Sequence, residues 1–264
     1  MSKHVHGRWF GMGVVGITDR ASVNNVVLYG QPIYNAESDE LVSIEVLMRY
    51  RGLEGNGAYE VVKNLVGIAD EIKPNLRTAE RFRLLDIHII KETAEWVIGA
   101  NIGSKFRVNV NISKHTICCK DTVENIVSMI TKRGLQDIIV LEINEDTDML
   151  CAEALENIKS IQDNKIEISI DDFNKSGINF DRLLGISPSE MKYSHTGRND
   201  FSKQDLSKIS TISKRLKQLG IRFVVEGIET DSQYMAIKQI GALNIQGYSV
   251  GKPRDLQSFR NFEH

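Results

Sequence analysis

The chain is poor in cysteine, has no long apolar run and carries almost no net charge. Each shortage excludes a class of function. The three cysteines are Cys118, Cys119 and Cys151. An odd count with a vicinal pair does not make a disulfide framework, and no Cys-x-x-Cys or Cys/His spacing suits zinc. Reduced thiols in a cytoplasmic protein are the expectation. No stretch approaches the ~18 apolar residues that a membrane-spanning helix needs. Residues 1–25 hold no continuous apolar stretch, which argues against a secretory signal. The formal net charge is −2, so neither DNA nor RNA is expected as the main partner. A small phosphorylated ligand remains open, because it needs only one or two well-placed cations or metals. The six histidines form no His-x-x-x-His pair, and no Gly-x-Ser-x-Gly nucleophile elbow is present.

The 264 residues are 41% hydrophobic and 26% charged, a balance ordinary for a globular protein. That length suits one α/β barrel domain. Gly11, Gly13 and Gly16 match G-x-G-x-x-G, but that fingerprint needs a strand before it and a helix after it. Only ten polar and basic residues precede it, so residues 1–25 read as a flexible arm and residues 26–264 as the folded domain.

From there strands and helices alternate. Val26–Tyr34 and Leu41–Tyr50 read as strands joined by the turn Asn35–Asp39. A parallel crossover needs about a dozen residues or more, so this pair should be antiparallel. Tyr59–Ile72 and Ala79–Ile98 show helical spacing. Further strands are expected at Phe106–Ile112, Ile138–Ile143, Ile166–Ile170, Glu190–Tyr193, Ile221–Val225 and Asn244–Gly247. Helices follow at Val123–Ile130 (closed by Gly134), Ala154–Ile161, Phe180–Leu184 and Leu206–Leu219 (closed by Gly220). Another starts at Thr230, and a terminal one at Asp255. Eight strands with helices between most of them imply a (β/α)8 TIM-like barrel with an antiparallel first strand.

Polar residues cluster at the strand ends. The second strand holds Glu45 and Arg49, and the third ends in Asn111 and Ser113. The fourth carries Glu142, then Glu145, and the fifth ends in Asp171-Asp172. Lys192, Glu226 and Gln246 follow on the next three. In a barrel these ends meet on one face. So many carboxylates in one mouth stay ionised only if cations neutralise them. Oxygen ligands without His or Cys favour hard ions such as Mg²⁺ or Mn²⁺. A tandem Asp pair could serve two metals at once, about 3.5–4 Å apart, as in-line attack on a phosphodiester requires. Each residue alone has a plain structural reading as turn former or solvated side chain.

The eight segments Gln31-Pro32-Ile33, Glu45-Val46-Leu47-Met48-Arg49, Val110-Asn111-Ile112-Ser113, Leu141-Glu142-Ile143-Asn144-Glu145, Asp171-Asp172-Phe173, Met191-Lys192, Val225-Glu226-Gly227-Ile228-Glu229-Thr230 and Gln246-Gly247-Tyr248 occur in this order. In these segments the chain resembles the EAL family of bacterial phosphodiesterases acting on cyclic diguanylate (cyclic di-GMP). The resemblance implies opening of cyclic di-GMP to linear pGpG by two-metal in-line water attack, and a homodimer. It implies one ion bound by Glu45, Asn111, Glu142 and Asp171, and a second by Asp171, Asp172 and Glu226. Lys192 would hold or activate the attacking water and Gln246 support the cluster. Glu145 would brace the loop after the fifth strand, and Gln31 and Arg49 would contact the dinucleotide. The chain departs from the pattern at Val46, at Phe173-Asn174-Lys175-Ser176 (for Phe-Gly-Thr-Gly) and at Ser194 (for Asp). These departures keep two alternatives open: a cyclic di-GMP receptor without turnover, and a regulator acting through a protein partner.

Overall fold

A computed structural model of the chain describes residues 26–50, 76–144, 151–174, 180–195, 199–241 and 243–260. The expected arm 1–25, the expected helix Tyr59–Ile72, and Glu145, Lys175 and Ser176 lie outside the described residues.

β1 (Val26–Asn35) and β2 (Leu41–Tyr50) form an antiparallel pair whose register runs from Val26 opposite Tyr50 to Tyr34 opposite Leu41. The turn between them is built by Asn35, whose Oδ1 accepts from the amides of Glu37 and Ser38 at 2.9 and 3.0 Å. The chain then alternates through α1 (Leu76–Ala100), β3 (Arg107–Asn111), α2 (Lys114–Ile117), α3 (Lys120–Lys132), β4 (Ile139–Asn144), α4 (Ala152–Asp163) and β5 (Glu167–Asp171). It continues with α5 (Phe180–Leu184), β6 (Glu190–Ser194), α6 (Lys203–Gln218), β7 (Arg222–Glu226), α7 (Asp231–Lys238) and β8 (Asn244–Gln246).

β2 to β8 lie side by side in chain order, all parallel. β1 closes the circle, antiparallel to both β2 and β8. The architecture is therefore the expected eight-stranded α/β barrel with one reversed strand. Two details differ from the sequence expectation. A two-residue strand, β9 (Arg254–Asp255), adds to β1 at Tyr29 and Gly30. The terminal helix expected from Asp255 is a single 3-10 turn, Leu256–Phe259, capped by the Asp255 side chain. Gly30 lets that turn approach, since a Cβ there would lie 2.8 Å from the Phe259 ring.

The helices form where apolar spacing and caps agree. α3 buries Val123, Ile126, Val127 and Ile130 on one face, and Gly134 follows its end at φ +68°. Ser202 with Asp205 caps α6, and Thr230 with Gln233 caps α7, each as a reciprocal capping box.

Strand alternation then sorts side chains into two layers. On β4, Ile139, Leu141 and Ile143 join the apolar core, as do Ile168 and Ile170 on β5 and Met191 and Tyr193 on β6. The intervening residues, Glu142, Ser169, Glu190 and Lys192 among them, are buried on the other side, inside the barrel. The outer layer binds the helices, and the inner layer is left for polar chemistry.

Candidate active site

Lys192 is the centre of the inner layer and is fully buried. Its Nζ lies 2.7 Å from Glu226 Oε1, 2.8 Å from Glu142 Oε1, 3.1 Å from Glu45 Oε2 and 3.7 Å from Asp171 Oδ1. Four carboxylates thus face one ammonium, and were all ionised they would carry a net negative charge in a poorly solvated place. The titrations reflect that conflict. Burial works to lower the Lys192 ammonium, yet Asp171, Glu142, Glu226 and Glu45 together hold it well above its usual range. Burial pushes the Glu226 carboxyl up to about 8, with Lys192 opposing and Asp171 and Glu45 adding to the rise. Burial likewise raises Asp171, and holds Glu142 well above the usual carboxylate range, against the pull of Lys192. Glu45 goes the other way. Burial would raise it, but the Lys192 charge and hydrogen bonds from Gln246, Lys192 and Asn111 outweigh that and keep it low.

The surrounding polar groups hold this arrangement. Gln246 Nε2 donates to Glu45 Oε2 at 2.7 Å, and Asn111 Nδ2 donates to Glu45 Oε1 at 3.1 Å. Gln31 stands directly opposite Glu45 across the β1–β2 pair, so their side chains share a face; its Nε2 reaches the Gly251 carbonyl at 3.4 Å. Arg49, four residues beyond Glu45 on β2, shares that face by the two-residue period. It is half-buried and donates to the Met48 carbonyl at 2.9 Å.

A divalent cation fits this donor set. Asp171, Asp172 and Glu226 each offer an oxygen, and these oxygens lie within 4.8 Å of one another. Gln246 Oε1 is buried and has no hydrogen-bond partner. The carboxylates outnumber the Lys192 ammonium beside them, their own ligand atoms are oxygens, and a hard ion supplies the remaining positive charge. Asp172 is held at φ +53°, and its amide donates to Asp171 Oδ1 at 2.8 Å. A non-glycine residue in the left-handed region beside a site marks a backbone set by its surroundings.

The structure brings Glu45, Asn111, Glu142, Asp171, Asp172, Lys192, Glu226 and Gln246 together at the strand ends. Gln31 faces Glu45 across the β1–β2 pair, and Arg49 lies four residues further along β2. Sequence reasoning missed the layer below. Asn109 Nδ2 bridges Glu142 Oε2 at 3.1 Å and Glu190 Oε1 at 2.6 Å. Glu190 also accepts from Ser169 Oγ at 3.1 Å and Arg222 Nε at 3.2 Å. Asn109 stands two residues before Asn111, and Glu190 two before Lys192. The two-residue period was the available signal.

Comparison with known proteins gives the family and the fold. The family model for the EAL domain matches residues 17–253. The probable cyclic di-GMP phosphodiesterase PdeA of Escherichia coli (strain K12) is 25% identical over 237 residues, covering 88% of this chain and 31% of that protein. The chain thus spans about a third of the length of that relative. The PaMucR phosphodiesterase in its c-di-GMP complex superposes with a TM-score of 0.70 at 21% identity, covering 89% of this chain and 99% of that one. BlrP1 of Klebsiella pneumoniae, in a manganese/cy-diGMP complex, gives a TM-score of 0.71 at 19% identity over 87% of this chain and 56% of that one. Among the described residues no helix is long and apolar enough to cross a membrane. With a family model matched over most of its length, the chain belongs to the EAL domain family.

Proposed function

We propose that this chain is a metal-dependent phosphodiesterase that opens cyclic di-GMP to linear pGpG. The support is the enclosure of Lys192 by Glu45, Glu142, Asp171 and Glu226 at the barrel mouth. Asp171, Asp172 and Glu226 would hold one Mg²⁺ or Mn²⁺, and Glu45, Asn111, Glu142 and Asp171 a second. Ions held there would supply Lewis acidity to the scissile phosphate and would lower the pKa of an attacking water. Lys192, kept protonated by its four neighbours, donates rather than accepts hydrogen bonds, so it orients the water and does not deprotonate it. Gln246 and Asn111 fix the Glu45 carboxylate, and Gln31 and Arg49 present donors on the same face to the dinucleotide phosphates. Glu145 is assigned to bracing the loop after β5, and a homodimer is the expected assembly.

The test is product formation from cyclic di-GMP with Mn²⁺ or Mg²⁺, followed by chromatography, with Glu45→Ala as control. Linear pGpG that disappears in Glu45→Ala supports the enzyme. Tight binding without product points to a receptor, and absence of micromolar binding points to a regulator working through a protein partner.

A further inference from the structure

Cys118 and Cys151 are 33 residues apart in sequence, yet their Sγ atoms lie 3.4 Å from each other. They belong to different elements. Cys118 closes the C-terminus of α2, just beyond the β3 strand end, and Cys151 caps the N-terminus of α4, beyond β4. Cys118 is exposed and Cys151 half-buried, so a small oxidant reaches the pair from solvent. Neither belongs to the carboxylate cluster.

The two sulfurs are not equivalent. Partial desolvation first, and the Cys151 thiol second, push the Cys118 thiol up to about 11. Cys118 therefore stays protonated at neutral pH and is a slow first nucleophile. Cys151 Sγ accepts from the Ala154 amide at 3.4 Å, at the positive end of the 12-residue helix α4. The third cysteine is engaged elsewhere, since Cys119 Sγ accepts from Thr122 Oγ1 at 3.2 Å. A disulfide is about 2.0 Å long, so bonding Cys118 to Cys151 needs a closing movement of about 1.4 Å.

We propose that Cys118 and Cys151 are a peroxide-reactive dithiol that closes into an intramolecular disulfide between α2 and α4. The Cys151 sulfur attacks one oxygen of hydrogen peroxide and breaks the O–O bond. A sulfenic acid forms, and the departing hydroxide takes the thiol proton to become water. The Cys118 sulfur then attacks the Cys151 sulfur; the S–S bond forms and the S–O bond breaks. The second hydroxide leaves as water with the Cys118 proton. Two thiols lose two electrons, and one peroxide becomes two waters.

The test treats wild-type and Cys119→Ser protein with stoichiometric hydrogen peroxide, then measures intact mass and free thiols under denaturing, non-reducing conditions. Both proteins should lose two hydrogens in mass and stay monomeric on a non-reducing gel. Wild type should keep one titratable thiol and Cys119→Ser none, and dithiothreitol should restore the lost thiols. Cys151→Ser should show no loss of hydrogens. The proposal is overturned if Cys119→Ser keeps both thiols, gains oxygen without a cross-link, or forms disulfide-linked dimers. Should Cys119→Ser fold poorly, tandem mass spectrometry of the oxidised wild-type digest decides. A Cys118–Cys151 cross-link supports the assignment, and a Cys118–Cys119 bond or none overturns it.

Discussion

Asn174 and Ser194 are joined by two hydrogen bonds: Asn174 Nδ2 donates to the Ser194 carbonyl at 2.9 Å, and the Ser194 amide donates to Asn174 Oδ1 at 2.8 Å. Both positions depart from the EAL pattern, which has glycine and aspartate there. The new asparagine ties the loop after β5 to the end of β6, next to Asp172 and Lys192. Nor does the lost glycine impose backbone strain at this position. The left-handed residue here is Asp172, and Asn174 is not among the residues with positive φ. Asn174→Gly should therefore destabilise the protein by about 1–3 kcal/mol in urea denaturation and lower the rate of the proposed hydrolysis. Ser194→Ala, which keeps both backbone groups, should stay within about 0.5 kcal/mol of wild type. Faster release of pGpG by Asn174→Gly would show that the tie hinders the proposed turnover.

Lys192→Met removes the one ammonium that four carboxylates share. Breaking a buried ion pair from one side costs about 3–5 kcal/mol, moderated here as the raised carboxyls take up protons. Thermal melts should show Lys192→Met destabilised without divalent ions, and Mn²⁺ should stabilise it more than it stabilises wild type. An equal Mn²⁺ response in the two proteins would contradict the carboxylate cluster as the ion site.

Asp86 on α1 accepts from the Ser113 amide at 2.8 Å and the Ser113 hydroxyl at 2.7 Å, behind the β3 end that carries Asn111. Burial raises its carboxyl to about 6, against the hydrogen bonds from Thr116 and Ser113 that lower it. A raised folded-state value means that the stabilisation is complete below the unfolded value near 3.8 and is lost as pH rises through about 6. The stability of wild type relative to Asp86→Asn should fall by on the order of 3 kcal/mol between about pH 4 and 7. A pH-independent difference between the two proteins would rule out a raised Asp86.

Gly227 follows Glu226 at φ +76°, and a Cβ there would lie 2.3 Å from the His195 carbonyl oxygen. Alanine meets both a left-handed backbone and a fixed backbone neighbour. Gly227→Ala should cost at least about 2 kcal/mol, because the strain of the conformation adds to the clash. It should also weaken Mn²⁺ binding by shifting Glu226. Denaturation and a metal titration check the two effects separately, and wild-type Mn²⁺ affinity would show that Glu226 does not depend on this turn.

Strand and helix positions were legible in the sequence because they rest on local periods. Leu41–Tyr50 and Phe180–Leu184 lie as expected, Thr230 caps its helix, and Gly134 and Gly220 follow theirs. The short turn after β1 likewise implied the reversed strand. Less legible were contacts whose partners belong to different strands. Glu190 lies on β6 and Asn109 on β3, 81 residues away, and no local pattern pairs them.

By itself the sequence determined which residues alternate toward the barrel interior and which strand ends carry acids, because side-chain direction follows the strand period. Only the tertiary structure decided what those residues do to one another. Lys192 meets Glu45 across 147 residues and Glu142 across 50. Glu142 lies only one strand away from Lys192, across β5, whereas Glu45 on β2 meets it because the strands curl into a barrel that β1 completes between β8 and β2. The same closure excludes water, and burial in turn raises Glu226 and Asp171, so the site's charge balance is a property of the closed barrel.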